Sequence, residues 1–67
     1  MTKNSIQIWL DGMKKTVDDD EHNHRMEDEL RKLFIEHVIN EPNDPELVEK
    51  AKMVLSTKDL DFARWCA

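Results

Sequence analysis

The sequence predicts an all-α fold, a small bundle of three helices plus a short C-terminal fourth helix, in a dimeric state. Three observations lead there. Apolar residues recur at spacings of three and four, and no alternating run marks a strand. A single glycine and two prolines leave few places for tight turns. No internal repeat or low-complexity segment divides the 67 residues, so residues 1–67 form a single helical domain.

The first helix is expected to start near Asn4 or Ser5, where Asn4 with Gln7 resembles a capping box. Ile6, Trp9, Leu10, Met13 and Val17 form its apolar stripe. Gly12 interrupts that stripe. Either the helix ends there in a left-handed cap, or another backbone passes close by. The stripe continues through Met13 and Val17, which favours a continuous helix to about Lys15.

The second helix is expected to be capped by Asp18, with Glu21 at the matching third position. The carboxylates of residues 18–21 complement the positive end of its dipole. Its apolar stripe is Met26, Leu30, Leu33, Phe34 and Val38, and it must stop near Asn40 because Pro42 follows. Such a helix is about 35 Å long. A compact chain of this size should measure only about 28 Å across, with a radius of gyration near about 11 Å. Ile35 and Ile39 add a second apolar patch beside the main stripe, which requires a fourth helix or a second chain to cover it.

The third helix has a clear entry in "NDPEL": Asp44 caps, Pro45 takes the first helical position, and Glu46 follows. Leu47, Val48, Ala51, Val54 and Leu55 form its stripe, with Met53 off it. Ser56 or Thr57 is expected to cap a fourth helix over residues 58–66. There Leu60 and Ala63 point one way, and Phe62, Trp65 and Cys66 another.

Size and charge narrow the function. The net charge is −5, divided as +2 over residues 1–17, −8 over 18–46 and +1 over 47–67. Phosphate backbones repel such a chain unless its bases cluster, and Lys14/Lys15, Arg31/Lys32 and Lys50/Lys52 are scattered pairs. No apolar run is long enough to span a membrane. Cys66 is the single cysteine, which excludes an internal disulfide. A lone thiol and the lack of a leader suit a cytoplasmic location.

The segment "DDDEHNHRMEDEL", residues 18–30, holds seven acidic residues and two histidines. His22 and His24 lie two apart and point to opposite sides of a helix, so they cannot share an ion. A metal reading would rest on Glu21, His24 and Asp28, which share a face. The Glu-x-x-His spacing of di-iron bundles occurs here only once, on the polar side. A solvated, dipole-favoured helix start is the preferred reading, with no metal and no cofactor. His37 falls inside the apolar stripe. A hydrogen bond to a backbone carbonyl or water is preferred there over a proton-switching role.

No nucleophile–base pair, glycine-rich loop or complete catalytic set appears, so an enzyme is the least favoured class. Trp9 is expected in the core, and Trp65 serves equally as core or as an exposed anchor. The favoured function is a non-enzymatic protein-interaction module, a self-associating adaptor or inhibitor. Its interface would be built from Ile35, Ile39, Phe62 and Trp65, and its first partner would be a second copy of itself. Two alternatives remain. One is a helix-turn-helix DNA-binding protein presenting Glu49, Lys50, Lys52 and Met53. The other is an acidic DNA mimic using the carboxylates of the second helix.

Overall fold

The computed structural model describes residues 1–62. They form α1 (Lys3–Lys15), α2 (Asp20–Asn40) and α3 (Leu47–Leu55), with a 3-10 turn (Ser56–Asp59) running on from α3. The molecule measures 36 × 20 × 14 Å, with a radius of gyration of 12.1 Å. At 1.5 Å per residue, α2 is about 32 Å long, so it spans nearly the whole long axis. The other two helices pack against only part of it.

Helix α1 starts earlier than expected, and a different pair of residues closes its capping box. Thr2 is the N-cap. Its Oγ1 accepts from the Ser5 backbone N–H at 3.1 Å, and Ser5 Oγ accepts from the Thr2 N–H at 3.0 Å. Ser at the third position does the work usually given to Glu or Gln. Gln7 instead donates along the helix to Asp11 Oδ1 at 2.9 Å. Helix α1 continues through Gly12 to Lys15, as the stripe implied. Neither special role for Gly12 holds: its φ is not positive, and a Cβ placed there would meet nothing within 4 Å. Gly12→Ala should therefore stabilise the protein by up to about 1 kcal/mol, read as a higher urea midpoint. A loss of stability would mean that the position is more constrained than its open surroundings indicate.

A polar lock turns the chain from α1 into α2. Thr16 caps the end of α1 and donates from Oγ1 to Asn23 Oδ1 at 2.7 Å. Asn23 Nδ2 in turn donates to the Met13 carbonyl at 3.0 Å. Asn23 is fully buried, and these bonds offset the cost of desolvating its amide. Val17, expected on the stripe, lies in this turn and is exposed.

The N-cap of α2 is Asp19 rather than Asp18; its Oδ1 accepts from the His22 N–H at 3.1 Å. Within a run of three aspartates, composition does not distinguish neighbouring candidates. The helix ends at Asn40, one residue before the Glu41 C-cap. Its buried face is rotated from the expected one. Asn23, Glu27 and Leu30 are buried, Met26, Leu33 and Phe34 are partly buried, and Val38 reaches the surface.

Helix α3 begins at Leu47, after a turn organised by Asp44, whose Oδ1 accepts from the Glu46 N–H at 2.8 Å. Val54 is buried, whereas Val48 and Leu55 are exposed. Ile6, Leu10, Leu30 and Val54 form the core where the three helices meet. Trp9, Phe34, Met53 and Met1 pack partly against it.

The expected fourth helix does not begin at residue 58. Ser56 Oγ donates backward to the Met53 carbonyl at 2.6 Å, and Thr57 Oγ1 donates to the Val54 carbonyl at 3.2 Å. These hydroxyls close α3 instead of opening a new helix. Leu60 is extended (φ −76°, ψ 136°). The remainder of that expected helix, with Ala63, Trp65 and Cys66, lies outside the described residues.

Candidate interaction surface

Helices α2 and α3 are joined by a short loop, and a cluster of charges ties them. Asp44 Oδ2 accepts from Lys50 Nζ of α3 and from His37 Nε2 of α2, the latter at 2.7 Å. His37 Nδ1 faces the Met1 amine at 3.4 Å, and the ring stacks near Phe34 with centroids 6.4 Å apart. A ring that donates from Nε2 and accepts at Nδ1 satisfies both contacts. The partner of His37 is thus a carboxylate seven residues on, not a backbone carbonyl or water. The Lys50 ammonium, the Glu46 N–H and the His37 ring together hold the Asp44 carboxyl far below the usual carboxylate range.

A second, more exposed network joins α1 to α3. Lys3 Nζ lies 2.7 Å from Glu49 Oε2 and 3.0 Å from Glu46 Oε2. These carboxylates push the Lys3 ammonium up to about 12, and Lys3 lowers Glu49.

These networks decide what the surface can offer. Lys50, expected on a DNA-reading face, is 5% exposed and is committed to Asp44. Glu49 is engaged by Lys3. On α2, exposed Asp20, Glu21, Asp28, Glu29 and Glu36 alternate with exposed Arg25, Arg31 and Lys32, while Glu27 is buried. The expected carboxylate row is therefore interrupted by opposite charge.

The ligand-like residues of α2 do not converge. Glu21 is exposed. His24 Nδ1 lies 3.3 Å from Asp28 Oδ2, within ion-pair range but off the axis of a hydrogen bond. Among the described residues, no three His, Cys, Asp or Glu side chains are grouped to hold a metal ion. Among the same residues, no helix is long and apolar enough to cross a membrane.

The apolar surface is unevenly distributed. Of the large hydrophobic side chains that the described residues leave exposed, Ile8 and Val17 lie on α1 and its following turn. The other five, Ile35, Val38, Ile39, Val48 and Leu55, lie on α2 and α3. Ile35 is 59% exposed and Ile39 72% exposed, on the side of α2 opposite buried Leu30. Between the two helices runs an open cleft of about 340 Å³, lined by Arg31, Phe34, Ile35, Ala51, Val54 and Leu55. Val48 extends the Ala51/Leu55 row at helical spacing, and Ile39 extends Ile35.

Phe62, expected at the interface, is only 7% exposed, so the subunit itself encloses it. Trp65 lies outside the described residues. Val48 and Leu55 were missed as surface residues because helical spacing alone assigned them to the buried stripe. Which flank of a short helix faces solvent depends on its neighbours. No protein-family model, curated protein or solved structure matches this chain.

Proposed function

We propose that this protein is a small helical interaction module that binds protein, its first partner being a second copy of itself. The carrying observation is the concentration of exposed apolar side chains on α2 and α3, with Ile35 and Ile39 foremost. Burying such surface is the main driving force for protein association. Contiguous patches of this kind, as opposed to single exposed side chains, mark interaction sites. Among the described residues, the charged clusters around Asp44 and Lys3 tie the helices to one another.

Ile35→Glu combined with Ile39→Glu tests the reading. Both residues are exposed, so the substitutions should leave the helical circular dichroism intact. Wild-type protein should gain mass with concentration in sedimentation velocity, and the double variant should remain at monomer mass. Equal self-association of both proteins would place the interface elsewhere. A wild-type chain that stays monomeric to near-millimolar concentration would remove self-association from the reading. A DNA-reading helix and an acidic mimic have weaker support, given the commitment of Lys50 and the mixed charge along α2.

A further inference from the structure

We draw no further inference here: the strongest candidate, the open apolar cleft between α2 and α3 lined by Phe34, Ile35, Ala51 and Leu55, belongs to the surface already described, and nothing in the structure shows what covers it.

Discussion

Leu30→Ala is expected to cost about 3 kcal/mol of folding stability, within the range found for removing a buried leucine. Leu30 is fully buried in α2 and joins Ile6 and Leu10 of α1 and Val54 of α3 in one cluster. Truncation removes the residue through which all three helices meet. A single core in a chain this short rarely supplies more than about 3–5 kcal/mol, so the variant should be largely unfolded at room temperature. Far-ultraviolet circular dichroism with urea titration provides the measurement. The exposed Ile35→Ala is the control and should change the midpoint little. If Leu30→Ala unfolds within about 1 kcal/mol of wild type, the three helices are not held by that cluster.

Acidification should give the second large effect, through Asp44. The folded-state carboxyl is held well below its ordinary value, chiefly by Lys50, then by the Glu46 N–H and His37. A depressed carboxylate stabilises the fold at pH values above its unfolded pKa, near about 3.9. That contribution is lost as pH falls from there toward the folded value. Thermal unfolding midpoints should thus be flat near neutrality and drop below about pH 4. Asp44→Asn should lower the midpoint at neutral pH and flatten part of the acid slope. Lys50→Ala should be worse than Lys50→Met, because alanine also removes the buried aliphatic stem. An acid slope unchanged in Asp44→Asn would assign it to other carboxylates, such as Glu49, which Lys3 also lowers.

Much of the architecture was legible in the residues. Helical spacing and capping residues placed the three helices and the continuity of α1 through Gly12, and Pro42 placed the end of α2. The misplaced caps have local causes. Asp18 and Asp19 are chemically equal neighbours, and Ser5 in the box with Thr2 lacks the usual Glu or Gln signature. The expected start of a fourth helix at residue 58 failed on one ambiguity. A serine or threonine hydroxyl can accept from the turn ahead or donate to the turn behind, and here Ser56 and Thr57 donate backward.

The candidate surface was half visible. Ile35 and Ile39 stand off the main stripe of a helix too long for its domain, and they are exposed. The part contributed by α3 was hidden, because Val48 and Leu55 have the same spacing from Val54 whether they face a neighbour or water. The charge cluster was hidden more completely: Lys50 reads as a surface lysine until Asp44 and His37 surround it.

By itself the sequence determined the helices, because hydrophobic period, prolines and charged first turns act over a few residues along one chain. Only the tertiary structure decided the rotation of α2 that buries Asn23 and Glu27, the pairing of Lys50 with Asp44, and the exposure of Val48 and Leu55. Each of these depends on which side of one helix another helix covers. That is settled by packing and by satisfying buried polar groups across elements, and no local pattern encodes it.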